Sequence, residues 1–320
     1  MPVSPIPSPA AADSTGLADS QWISDVRDGL RDYPVKKTET WTANGTDGPV
    51  TVSSSPLSVL FPPINGDSTT NTPLVRDNTT ATNYTIVDYP TAVAAGQVQV
   101  NYDTGELTFF AAPATNDVIQ VQYQACKWRD YAIETALYAG LRAMFPHIGK
   151  TYIDTSIQIQ VNTWDYSLPS WCGDPRSKIF SVEIADPYIP TEPFKNARAG
   201  IKRVGLTQLH IPWSQAYSPV ARLRITGWGP YLRLGDLEPQ LYHLPVWYAL
   251  GVLLPKQEAK RIREDTVVPI SQIGGAAPGL HLQTGDYYAR RFEQELERLA
   301  RTLGPAPSLP VSTIYDMRRY

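Results

Sequence analysis

One stretch constrains the fold more than any other: C-K-W-R-D-Y-A-I-E-T-A-L-Y-A-G-L-R-A-M-F-P, from Cys126 to Pro146. It has helical periodicity and no breaker before its final proline. Ile133, Leu137, Leu141 and Met144 recur at steps of four, four and three, which aligns them on one face. Ala132, Ala136 and Gly140 form a second stripe of small residues, where another helix backbone could approach closely. The chain before this segment and the chain after it both alternate with a period of two. A helix so placed is expected to be the spine that ties β-rich parts to one core.

At 320 residues the chain exceeds what one hydrophobic core usually serves, so two or three domains are expected. The 29 prolines and 18 tyrosines favour short strands, loops and aromatic surface. A net charge of −3 argues against a protein that grips nucleic acid, but suits one that surrounds DNA without holding it. Cys126 and Cys172 lie in different expected elements with no CxxC partner, and read as two reduced thiols. The N-terminus has no basic region followed by an apolar run, and no apolar stretch is long enough to span a bilayer.

Taken in order, residues 1–18 are a Pro/Ser/Ala-rich extended arm. A first helix is expected from Ser20 to Asp32, with Trp22, Ile23, Val26 and Leu30 as its apolar face, ended by Tyr33-Pro34. Too short to be stable alone, it should dock on the spine helix. Residues 37–123 read as a compact antiparallel β-unit with a long loop around Asn65–Asn83. This unit leaves from helix one and returns into the spine, so it reads as an insertion. Residues 19–36 and 124–150 make the first part of the helical core.

A second β-unit covers 151–236, with S-I-Q-I-Q-V-N as its cleanest strand and Arg222 and Arg224 sharing an exposed face. Residues 237–304 supply the second part of the helical core. There Leu244-Pro245 opens a helix that Pro255 should end or kink. Thr266–Leu280 is expected as a loop, and Asp286 as the cap of a final helix along Tyr288, Phe292, Leu296, Leu299 and Leu303. The tail, 305–320, is extended and Pro-rich. It is either frayed or a strip captured by a partner groove, with Ile314, Tyr315, Arg318, Arg319 and Tyr320 as anchor-type residues. The expected class is therefore α+β. A helical core of three to five helices carries two antiparallel β-units, one an insertion, with extended N- and C-terminal arms.

Catalytic patterns are scarce. His147, His210, His243 and His281 are dispersed, and none stands in H-x-H or H-E-x-x-H. There is no G-x-S-x-G elbow, Walker A loop or dinucleotide fingerprint, and Gly227-Trp228-Gly229 reads as a strand-end turn. Asp28 and Asp32 read as solvated helix-surface carboxylates. Trp164, Trp171, Trp213 and Trp228 offer sugar or base stacking, although core aromatics are the commoner explanation. The expectation is a protein that is not an enzyme and that uses no cofactor or metal.

The order helix, β-insert, helix ending in F-P, β-unit with W-D-Y-S-L-P and K-I-F-S-V-E-I, then L-P-V-W-Y-A-L-G-V-L-L and Y-Y-A-R-R-F-E-Q-E-L-E-R-L resembles the head-to-tail adaptor (connector, neck) proteins of tailed bacteriophages. The segment V-N-Y-D-T-G-E-L-T-F-F-A-A-P-A-T-N-D-V-I-Q-V-Q-Y also resembles a β-module of phage virion proteins, tail proteins included. The resemblance covers most of residues 20–303 as a pattern of elements. The 37–123 insertion departs from the minimal adaptor. It implies a virion protein of the head–tail neck, assembled in the host cytoplasm. Such proteins form a homo-oligomeric ring, commonly a dodecamer, between the portal protein and the stopper or tail. Double-stranded DNA passes through without sequence-specific binding, and no membrane is involved. The resemblance also implies that the C-terminal strip docks on the portal. The spine residues Ala132, Ile133, Ala136, Leu137, Gly140 and Leu141 are candidates for helix packing within a subunit or between neighbours. The alternative is a minor tail or receptor- or carbohydrate-binding virion protein.

Overall fold

A computed structural model describes residues 17–45, 49–57, 74–102, 104–160, 163–185, 195–196, 201–212, 221–264 and 279–303. Over these residues the protein is α+β. In chain order, α1 (Leu17–Leu30) is followed by β1 (Val35–Thr42), β2 (Val50–Thr51), β3 (Leu74–Asp77), β4 (Thr82–Asn83), β5 (Thr85–Asp88), β6 (Gln97–Asn101), β7 (Glu106–Phe109) and β8 (Val118–Ala125). Then come α2 (Asp130–Met144), β9 (Lys150–Asp154), β10 (Asp165–Ser167), β11 (Lys178–Ala185), β12 (Lys195–Asn196), β13 (Lys202–Val204), β14 (Gln208–His210) and β15 (Arg222–Gly229). The helices α3 (His243–Glu264) and α4 (Leu280–Leu303) complete the described chain. It divides into two compact units, the chain up to Leu137 with Tyr248–Tyr288, and Tyr138–Trp247 with the chain from Ala289.

In the first unit, β1 and β8 pair antiparallel from Val35–Ala125 to Thr42–Val118. The 37–123 segment therefore enters and leaves through one pair of neighbouring antiparallel strands. Two sheets, ordered β1-β8-β3-β4 and β2-β7-β6-β5, contribute to one core. Val75, Ile119, Val121 and Tyr123 come from the first, and Val98, Val100 and Leu107 from the second. Inward residues alternate with outward ones, as two sheets packed face to face require.

Two expectations are corrected here. The Asn65–Asn83 region is not all loop, because β3 and β4 lie within it. The strand β3 escaped the apolar pattern because its two buried positions are Val75 and Asp77, an aliphatic residue followed by a charged one. The unit is also not wholly antiparallel, since β5 and β6 run parallel. Side-chain alternation is the same in both arrangements and carries no strand direction.

The α1 face Trp22, Ile23, Val26 and Leu30 is buried as the spacing predicts. Pro255 does not end α3, which continues to Glu264. A proline inside a helix costs one backbone hydrogen bond and crowds the preceding turn. Here its ring is covered by α4 at Gly285, where an added Cβ would lie 2.7 Å from Pro255 Cδ. Asp286 is likewise not the cap of α4, which begins at Leu280, with the Gln283 N–H donating to Gly279 O. The loop expected over Thr266–Leu280 lies outside the described residues as far as Pro278, and Leu280 already belongs to α4.

The second unit holds the sheets β12-β11-β15-β9 and β10-β14-β13. Its core includes Ile159, Tyr166, Trp171, Cys172, Leu209, Ile211, Leu223 and Ile225. Of S-I-Q-I-Q-V-N, the described residues Ser156–Gln160 form no regular strand. They make one bridge, Gln158 to Arg222, beside the Ile159 N–H to Ala221 O bond. Their alternation is real, since Ile159 is buried, but Asp154 accepts from Ser156 N and Oγ and bends the chain out of β9 just upstream. Gly227-Trp228-Gly229 is no turn, because it lies within β15. Gly227 is required there, since a Cβ would sit 2.4 Å from the Trp171 ring.

Candidate interaction surfaces

The strongest polar constellation is structural in form and sits where the insert meets the helices. Arg27, fully buried on α1, donates to Asp32 Oδ2, Asp130 Oδ1 and the Trp128 carbonyl, the last at 2.9 Å. Asp32 in turn accepts from the Lys127 and Trp128 backbone N–H groups at 2.7 and 2.9 Å. One cation thus ties the end of α1 to the first residue of α2, and Asp32 caps the β8–α2 connection. Burial works against the guanidinium charge, but Asp130, Cys126 and Asp32 offset it and hold Arg27 above its ordinary range. Asp32 is accordingly a buried ion-pair member, contrary to the surface role expected of it. Asp28 is exposed.

Both cysteines are free and buried. Burial pushes the Cys126 thiol up to about 12 and that of Cys172 to about 11, against the opposing pull of Arg27 and Arg203 respectively. Burial thus favours the neutral thiol at both positions. His210 Nδ1 lies 2.7 Å from Asp165 Oδ1, with the Trp164 ring stacked on it at 6.1 Å. In the same unit His243 packs on Trp247, lies 3.7 Å from Glu295, and is held below the usual histidine range mainly by burial. Among the described residues no group of three or more His, Cys, Asp or Glu could hold a metal ion. No helix among them is long and apolar enough to cross a membrane.

On α2, Ile133, Leu137 and Leu141 are buried, and so are Ala136 and Gly140, while Ala132 is half-buried. These positions are covered within the single chain. The tail candidates Ile314, Tyr315, Arg318, Arg319 and Tyr320 lie outside the described residues. Of the tryptophans singled out for stacking, Trp171 and Trp228 are core residues, Trp164 is exposed, and Trp213 is outside the described residues.

Among the described residues an open aromatic surface lies elsewhere, on the insert. Trp41, Asn44, Pro49, Phe109, Phe110 and Pro113 are among the residues lining a groove of about 370 Å³. A second groove of about 360 Å³, lined partly by Tyr84 and Gln97, shares the wall Phe110, Ala112 and Pro113. Phe109 packs edge-on against Trp41 and Tyr84, with ring centroids 6.5 and 5.1 Å apart, whereas Phe110 is 59% exposed. The sequence does contain the signal for this surface. Phe109 ends β7 and Phe110 follows it, so the aromatic pair falls where the strand stops and both rings line the groove.

No protein-family model, curated protein or solved structure matches the chain.

Proposed function

We propose that the protein is a structural, non-enzymatic virion protein of the head–tail neck. It forms a ring adaptor between the portal and the stopper or tail and extends the DNA channel. The observation that supports this most is the order of elements: α1, a β-insert on one antiparallel strand pair, α2, a second β-unit, then α3 and α4. That is the order on which the resemblance to phage adaptors rests. A closed ring needs one face of each subunit to meet a different face of the next. A mildly acidic chain suits a conduit, because a strongly basic wall would bind the passing phosphates.

Mixing the purified protein with portal protein tests the reading. The full chain is expected to form rings and to bind portals, and a chain lacking Pro307–Tyr320 to stay folded yet fail to join them. Undiminished portal binding by the truncated chain would refute the docking role of the tail.

The aromatic grooves of the insert favour a second reading, a minor tail or receptor-binding protein that stacks sugar rings on Trp41 and Phe110. Glycan binding that is lost on Phe110→Ser would support it. Trp228, buried in the core, is not available for that role.

A further inference from the structure

We propose that the paired grooves on either side of Phe110 are a docking site for the proline-rich arm Pro2–Pro9 of a second copy of this chain. The claim rests on the ring reading in one respect only, that two copies meet.

The lining favours such an occupant over a sugar. The larger groove is walled by aromatic rings, prolines and small residues and carries no charged side chain. Its polar side chains are those of Thr42, Asn44 and Thr108. Sugar hydroxyls are usually bracketed by more hydrogen-bonding groups than this. Asp117, on the neighbouring groove, already accepts the Ala114 N–H at 2.8 Å. Aromatic-lined grooves are how Pro-rich segments are commonly recognised, since a polyproline helix has no internal hydrogen bonds and little entropy left to lose.

The arm has the matching chemistry. P-V-S-P-I-P-S-P contains no charged side chain, and the first acidic residue is Asp13. Bound as a polyproline helix of three residues per turn, the arm would present Pro2, Pro5 and Ser8 on one edge and Val3, Ile6 and Pro9 on the next. Two adjacent, mostly apolar edges meet two adjacent grooves that share a wall.

Geometry favours a neighbour's arm. The end of α1 is fixed at the base of the β1–β8 pair by Arg27 and Asp32, while the groove opens at the far end of β1. The 14 residues of α1 extend about 21 Å from that base and the 8 of β1 about 26 Å. Ala10–Gly16 spans at most about 25 Å. The chain's own arm reaches the groove only if α1 folds back along β1, and Val35, Lys36, Lys37 and Thr38 are all exposed, so no helix covers either face of that half of the strand. A second copy's arm is under no such limit.

A fluorescent peptide of residues 1–13, added to the full-length protein, stands in for the second copy. Saturable binding is expected. It should weaken at least tenfold with Phe110→Ser, and again when Pro5 and Pro7 of the peptide are replaced by alanine. Circular dichroism melting of the variant verifies that it is folded. A photo-crosslinker at Ile6 of the full chain should give a crosslinked dimer mapping to Trp41–Asn44 or Phe109–Pro113. No saturable binding, binding indifferent to Phe110→Ser, an intrachain crosslink, or glycan binding without peptide binding would each overturn the proposal. Mass photometry on the same samples reads the ring separately, so the docking claim can fail while the ring stands.

Discussion

Arg27 is the residue on which the junction between the helices and the insert depends. Its side chain is fully covered and Asp32 is nearly so, with Asp130 only slightly exposed. Removing the guanidinium leaves two carboxylates in a dry site without their cation. Arg27→Ala is therefore expected to cost about 3–5 kcal/mol, read as a lower urea midpoint. A loss below about 1 kcal/mol would mean that the cluster is not a structural staple. Two carboxylates of the insert behave differently. Burial pushes Asp77 and Glu39 upward, but hydrogen bonds from Thr80 and Thr79, and from Ser53 and Tyr123, more than reverse this and hold both below the ordinary range. A carboxylate lowered in the folded state binds its proton more readily when unfolded. Its contribution is complete above the unfolded pKa of about 4 and is lost as pH falls through the lower folded value. The lowered His243 gives both proteins the same decline as pH falls through about 6.5, and below about pH 4 the thermal midpoint should fall further, less steeply in Asp77→Asn. An equally steep acid fall in that variant would contradict the assignment.

At the scale of elements, the sequence was legible wherever burial followed one period. The buried face of α1, the stripe Ile133/Leu137/Leu141 of α2, and Phe292, Leu296 and Leu299 of α4 all follow helical spacing. It was illegible where a polar residue took a core position, as Asp77 does in β3 and Arg27 does on α1. The helix end expected as one outcome at Pro255 and the cap expected at Asp286 are both overridden by tertiary packing. Gly285 covers the Pro255 ring, and α4 starts a turn and a half before Asp286. The aromatic grooves could have been inferred from Phe109-Phe110, but their depth depends on how β1 and β7 end, which no local pattern shows. The helix-packing candidates on α2 now carry a sharper expectation. Ala136 is 6% exposed in the single chain, so Ala136→Leu should overpack the fold by about 1–3 kcal/mol. A variant of unchanged stability that fails only in assembly would place the stripe between subunits instead.

At the scale of the whole molecule, the two units each have their own β-core, and α2, α3 and α4 each contribute to both. The proposed adaptor role requires joining unlike neighbours, and the described residues offer helices and a β-insert as distinct elements for it. The central claim is one of place and assembly, and imaging the protein inside the virion tests it most directly. Cryo-electron microscopy with the protein labelled is expected to show it as a closed ring between portal and tail, around the DNA path. Finding it only at the distal tail tip, or as isolated copies off the channel axis, would contradict the account.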